Sequence, residues 1–186
     1  MKVDKGDWLK IPNLLSYFRV LLIPIFSYIY LTATTIEDYM IAAGILFVSG
    51  LTDALDGYIA RNFNQGTQLG KLIDPVADKL TQLAVATMLF IKWPIVLYLL
   101  LLFIIKEFSI FLISYLLFKK RKIIDGAKWF GKIGTIVFYG CMFILVIMPE
   151  MAERNVIVLI LLTSIFQIVA FVGYMNLFFN MYKEVQ

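Results

Sequence analysis

The sequence predicts an all-α polytopic membrane protein of six transmembrane helices, with a short N-terminal interfacial segment and both termini in the cytoplasm. Three observations predict it. Of the 186 residues, 61% are apolar, against about 45–50% in an ordinary soluble domain. The apolar residues gather into six runs, each near the roughly 20 residues a helix needs to cross a bilayer or extendable to it. Lysine and arginine fall almost entirely on one side of those runs.

The first run spans about Leu14 to Leu31, with Pro24 as a candidate kink. Met1–Lys10 before it lacks a cleavage pattern, so this run is expected to remain as a span. Trp8 and Leu9 among the lysines of residues 1–10 predict a segment lying at the membrane surface. The second run spans about Tyr39 to Leu51 and continues into a polar stretch. The third, about Leu80 to Ile91, is extended backwards by Leu72–Lys79. Both are short as purely apolar runs, so they span only if their polar ends are helical too. The fourth covers Ile95–Phe118, the fifth about Ile133–Met148 and the sixth Val156 to about Phe179.

Six crossings put both termini on one side. That side holds Lys2, Lys5, Lys10, Arg61, Lys71, Lys79, the basic run 119–122, Lys128, Lys132 and Lys183. The other holds Lys92 and Arg154 with Glu37, Asp38, Glu150 and Glu153. The positive-inside rule makes the first side cytoplasmic and predicts a multi-pass protein of the cell membrane. The net charge of +4 is assigned to flanks facing anionic lipid and not to nucleic acid. The length suits a single membrane domain, 1–186. Cys141 is the one cysteine and histidine is absent. That excludes an intrachain disulfide, the commonest zinc ligand and the commonest general base. Chemistry must rest on carboxylates, hydroxyls, amines, guanidiniums and oxygen-loving metals.

Residues 52–80, TDALDGYIARNFNQGTQLGKLIDPVADKL, carry the candidate chemistry. Asp53 and Asp56 are three apart, and Asp74 and Asp78 four apart, so each pair shares one helix face. Two antiparallel helices joined by the 62–69 loop would bring the faces together. Four unpaired carboxylates repel one another, and burying them in a membrane bundle is costly. Oxygen-only ligands favour a hard cation such as Mg²⁺, Mn²⁺ or Ca²⁺. Four carboxylates suffice for two ions that clamp a diphosphate. Gly57 and Gly70 leave room for a bulky ligand, and Arg61 is placed to hold a phosphate. Intramembrane carboxylates also mark ion paths, so a divalent-cation transporter is the alternative from another class. All four aspartates lie toward one face, however, and the fourth to sixth runs offer no polar path across.

The segment resembles the signature of the CDP-alcohol phosphotransferase family, D-x2-D-G-x2-A-R-x8-G-x3-D-x3-D. It matches at Asp53, Asp56, Gly57, Ala60, Arg61, Gly70, Asp74 and Asp78. The resemblance implies that Asp53, Asp56, Asp74 and Asp78 hold two divalent cations, Mg²⁺ or Mn²⁺. It implies that Asp78 is the catalytic base, and that Asp53, Gly57, Ala60, Arg61, Gly70 and Asp74 border the CDP group. It further implies transfer of a phosphatidyl group from CDP-diacylglycerol to an alcohol with release of CMP, in a protein that is often a homodimer.

Ile11-Pro12-Asn13-Leu14, Arg19 and the run Gly70–Lys79 look like the branch of the family that uses glycerol 3-phosphate. Arg19, Lys106, Lys128 and Lys132 are the expected cationic partners of that acceptor. Where that branch usually has Arg-Glu, this chain has Lys106-Glu107. Ser114 and Gly134 stand where it often has a further arginine and a second lysine. The run Ile59–Gln65 resembles members that use phosphatidylglycerol instead, which is the alternative acceptor. Plainer readings stand beside these: Arg19 as a snorkelling residue, Lys106–Glu107 as a structural ion pair, and Trp93 and Trp129 as interface anchors.

Overall fold

The computed structural model describes residues 5–63, 65–67, 69–119 and 129–183. Among them are six α-helices, and their packing divides the chain into two compact units. One is Met1–Lys92 with Phe143–Glu150; the other is Trp93–Met142 with Met151–Gln186.

In the first unit a 3₁₀ turn, Lys5–Leu9, leads into α1, Ile11–Thr32. Trp8 stacks on Tyr17 of α1 with ring centroids 6.5 Å apart, while Leu9 stays exposed. That placement suits a surface-lying segment. Pro12 occupies the first turn of α1, where its missing N–H costs nothing. The helix runs on through Pro24, as spanning helices tolerate. Its buried stripe is Pro12, Asn13, Ser16, Arg19, Leu22, Phe26 and Tyr30, the 3–4 spacing of one helix face. The stripe packs against α2 and α3. The opposite side leaves Leu21, Ile25, Tyr28 and Leu31 exposed, a surface suited to lipid and not to water.

The helix α2, Ile36–Asn62, opens with a capping box: Asp38 N–H donates to Thr35 Oγ1 at 3.2 Å, and Thr35 N–H donates to Asp38 Oδ2 at 2.9 Å. Its 27 residues at 1.5 Å each extend about 40 Å, against a hydrocarbon core of roughly 30 Å. An upright α2 thus extends about 10 Å beyond the core, and the polar end with Asp53 and Asp56 can reach the interface. The helix α3, Gly70–Lys92, begins where Thr67 Oγ1 accepts the Gly70 N–H at 2.7 Å.

In the second unit, α4 (Val96–Lys119) packs against α6 (Glu153–Lys183). The first part of α5 (Trp129–Ile147) lies with them. Phe103 of α4 meets Phe138 of α5 with centroids 5.8 Å apart. Small residues let α5 and α6 approach closely: a Cβ at Gly134 would touch Ala170 Cβ at 3.4 Å, and one at Gly173 would overlap the Phe130 ring at 2.9 Å. Close approach of this kind is how helices bind in lipid, where burial of apolar surface gives no net drive.

Each expected run corresponds to a helix, usually longer at one or both ends. The helices α1, α2, α4, α5 and α6 are long and apolar enough to cross a membrane. The helix α3 is long enough at 23 residues but carries Asp74, Asp78 and Lys79 in its first turns.

Candidate active site

The site is assembled on α1. Asn13, Ser16 and Arg19 follow one another at intervals of three, and all are fully buried. Each holds a different piece of the 52–80 segment. Asn13 Nδ2 donates to Thr67 Oγ1 at 3.0 Å and to the Asp7 carbonyl at 2.6 Å. Ser16 Oγ donates to the Asp74 carboxylate. Arg19 spans the α2 pair: Nη2 donates to Asp56 Oδ2, and Nη1 lies 2.8 Å from Asp53 Oδ1. The second contact is ionic and not directional, since Nη1 and Nε have no hydrogen-bond acceptor in line.

The four aspartates come from α2 and α3. Asp53 is exposed and within electrostatic reach of Asp78, Asp74 and Lys79. Asp56 is buried beside Asp74 and Asp53. Asp78 is partly buried, and the Gln82 side-chain amide lies 3.1 and 3.3 Å from its two oxygens. Lys79 Nζ is 3.6 Å from Asp78 and donates to Gln82 Oε1 at 3.3 Å. As they stand, no three acidic side chains among the described residues close on one point. The Arg19 guanidinium bridges two of them.

The glycines of the segment are sterically required in different degrees. A Cβ on Gly70 would lie 2.6 Å from Asn13 Oδ1 and 3.0 Å from Thr67 Oγ1. On Gly57 it would only touch the Arg61 guanidinium at 3.4 Å. Arg61 is exposed and lies over Gly57, and Ala60 is partly buried on the same helix.

Arg19 therefore sits buried with the aspartates. Lys106 belongs to the second unit. It is buried there, 2.7 Å from Glu107 and hydrogen-bonded to Gln167 Oε1; Gln167 Nε2 in turn donates to the Gly134 carbonyl at 3.3 Å. Lys132 is exposed on α5. Lys128 lies outside the described residues. The sequence reading left Asn13, Ser16, Thr67 and Gln82 out of the site. Their signal was present for α1: three polar side chains at spacing three in the first half of a largely apolar helix.

The sequence model of the CDP-alcohol phosphatidyltransferase family matches residues 9–176, nearly the whole chain. The chain belongs to this family. Among relatives, a Rattus norvegicus protein named cardiolipin synthase (CMP-forming) is 50% identical over 70 residues, 37% of this chain and 22% of that one. A CDP-diacylglycerol–glycerol-3-phosphate 3-phosphatidyltransferase of Pseudomonas fluorescens is 44% identical over 84 residues, 45% of this chain and 42% of that one. Its Escherichia coli K12 namesake is 46% identical over 70 residues, 37% of each chain. The matched stretch thus spans less than half of each of these relatives.

Members of the CDP-alcohol phosphatidyltransferase family use divalent cations. The donor chemistry here fits them. Every candidate ligand is a carboxylate oxygen, the preference of hard ions. The site also already holds one buried cationic group, Arg19, against two of those carboxylates.

Proposed function

We propose that this chain transfers the phosphatidyl group of CDP-diacylglycerol to glycerol 3-phosphate and releases CMP. The observation that carries the reading is that α1 holds Asp53 and Asp56 of α2 through Arg19 and Asp74 of α3 through Ser16, at the spacing of the family signature.

In this reading Asp53, Asp56, Asp74 and Asp78 would hold two divalent cations, Mg²⁺ or Mn²⁺. When bound, such ions neutralise the diphosphate and stabilise the charge that develops at phosphorus. Asp53, Gly57, Ala60, Arg61, Gly70 and Asp74 border the CDP group. Arg61, exposed beside Gly57, reaches a phosphate that the missing side chain lets come close. Asp78 takes the proton from the acceptor hydroxyl. The Gln82 amide against both of its oxygens fixes the carboxylate's orientation. The acceptor oxygen bonds to the phosphorus bearing diacylglycerol, that phosphorus–oxygen bond to CMP breaks, and CMP leaves with the bonding electrons. Lys106, Lys128 and Lys132 are the acceptor's cationic partners. Arg19, first expected among them, belongs with the aspartates in this reading.

The reading treats the chain as one membrane domain with six crossings, both termini and the site on the cytoplasmic side of the cell membrane, in a homodimer. The one-sided distribution of lysine and arginine supports the orientation. A second acceptor has its own support: the rat protein and a Homo sapiens protein 48% identical over 71 residues, 38% of this chain and 22% of that one, are both named cardiolipin synthase. The test is detergent-solubilised protein with labelled CDP-diacylglycerol, Mg²⁺ or Mn²⁺, and either glycerol 3-phosphate or phosphatidylglycerol, with product mass as the readout. Phosphatidylglycerophosphate supports the first reading and cardiolipin the second. CMP release with neither acceptor overturns both.

A further inference from the structure

We propose that Arg19 is a resident competitor of the divalent cations, a fixed positive charge that holds Asp53 and Asp56 until an anionic diphosphate arrives. This rests on the metal-dependent transferase reading and adds to it an order of occupancy. Three observations carry it. The guanidinium contacts both α2 carboxylates. It is fully buried on the packed face of α1, so it cannot swing into solvent when a cation comes. Its Nε and Nη1 hydrogens have no acceptor in line, so the two carboxylates do not saturate the group, and its positive charge acts through space on an incoming oxyanion.

The physical argument is one of sign. The guanidinium of arginine is a full positive charge. Beside it, a divalent cation meets like-charge repulsion as well as competition for the same oxygens. A diphosphate is attracted by both. Arg19 thus weakens binding of the cation alone and strengthens binding of the nucleotide end of the lipid. Cations and CDP-lipid then load together, and the aspartates stay paired in the resting protein. Had Arg19 only braced the helices, removing it would weaken both ligands. Had it oriented the carboxylates for metal, removing it would weaken the cation.

The experiment is a titration of Mn²⁺ followed by its electron paramagnetic resonance signal, on the full chain in detergent, for wild type, Arg19→Gln and Arg19→Lys. A parallel titration with CDP is run at fixed Mn²⁺. A unit charge a few ångströms from a divalent ion changes its affinity by roughly tenfold even at near-bulk dielectric. Arg19→Gln is therefore expected to bind Mn²⁺ about tenfold more tightly in the absence of nucleotide, and CDP several-fold more weakly. Arg19→Lys is expected to stay within about threefold of wild type for Mn²⁺. Unchanged or weaker Mn²⁺ binding in Arg19→Gln overturns the proposal. If that variant unfolds without metal because its carboxylates repel, millimolar Mn²⁺ is expected to restore the fold; a chain still unfolded there overturns the proposal as well. Wild type that binds no Mn²⁺ even with CDP present would sink the metal-dependent transferase reading itself, a distinct result.

Discussion

The two units hold their helices together by different means. In the first, α1 meets α2 and α3 through Asn13–Thr67, Ser16–Asp74 and Arg19 with Asp53 and Asp56. In the second, α5 and α6 meet through Gly131, Gly134 and Gly173 against Tyr174, Ala170 and Phe130, and one buried polar group links Lys106, Gln167 and the Gly134 carbonyl. Lipid gives apolar faces no reason to associate, so a membrane bundle must use polar contacts or close approach of small residues. The second unit uses mainly the cheaper device. The first concentrates charge where charge is expensive, which makes sense if that charge has work beyond holding helices. The comparison predicts that substitutions in the first unit change activity more than stability, and that those in the second do the reverse.

The largest effect is expected at Asp78. Asp78→Asn keeps the shape and the neighbouring Gln82 but removes the proposed proton acceptor. CMP release should fall by about 10²–10⁴-fold, the usual contribution of a general base, with the thermal midpoint little changed. Comparable activity would remove Asp78 from the mechanism. Asp53→Ala should also lose most activity, and any that survives should need a higher metal concentration. An unchanged metal requirement in that variant would argue against ligation by Asp53.

Most of the fold was legible because it depends on local pattern. Runs of apolar residues mark α1 to α6, and the spacing of Asp53 with Asp56 and of Asp74 with Asp78 marks the faces they share. What was not legible is which face meets which. Asn13 and Thr67 are 54 residues apart, and Lys106 and Gln167 are 61 apart; nothing in either neighbourhood names the partner. Arg19 shows this most clearly. Its sequence context, an arginine in an apolar helix, fits snorkelling, phosphate binding and ion pairing alike. Only the packing of α1 against α2 reveals the ion pair with Asp53 and Asp56. The separation into two compact units was not legible either, since both are built from runs of similar length and composition.

Two glycines sharpen the comparison further. Gly70→Ala drives a methyl into Asn13 Oδ1 and Thr67 Oγ1, at 2.6 and 3.0 Å. Both atoms are tied into the start of α3, so Asp74 and Asp78 should shift with it. A displacement of about 1 Å is enough for roughly a hundredfold loss of rate, measurable as CMP release at saturating substrate. Gly131→Ala meets the Tyr174 hydroxyl at 2.6 Å and its ring at 3.1 Å, and that ring is already wedged against Phe130 and Phe178. Overpacking of this kind costs about 1–3 kcal/mol. A lower thermal midpoint with the metal requirement unchanged is the expected result. A changed metal requirement would break the division between the units.

The smallest expected effect tests the one role given to an exposed side chain of the second unit. Lys132 lies exposed on α5, so removing it disturbs no packing. If its charge meets the phosphate of glycerol 3-phosphate, Lys132→Ala should raise the apparent KM for that acceptor by several-fold, about what one partly screened ionic contact is worth. The KM for CDP-diacylglycerol should hardly move, because the proposed reading has the CDP end held by the first unit. Salt distinguishes this from a general loss of surface charge: a specific acceptor contact predicts that the gap between wild type and variant narrows as ionic strength rises, for the acceptor alone. A rise in KM for the CDP-lipid instead would place Lys132 at the donor, and the acceptor assignment would have to be redrawn around Lys106 and Lys128.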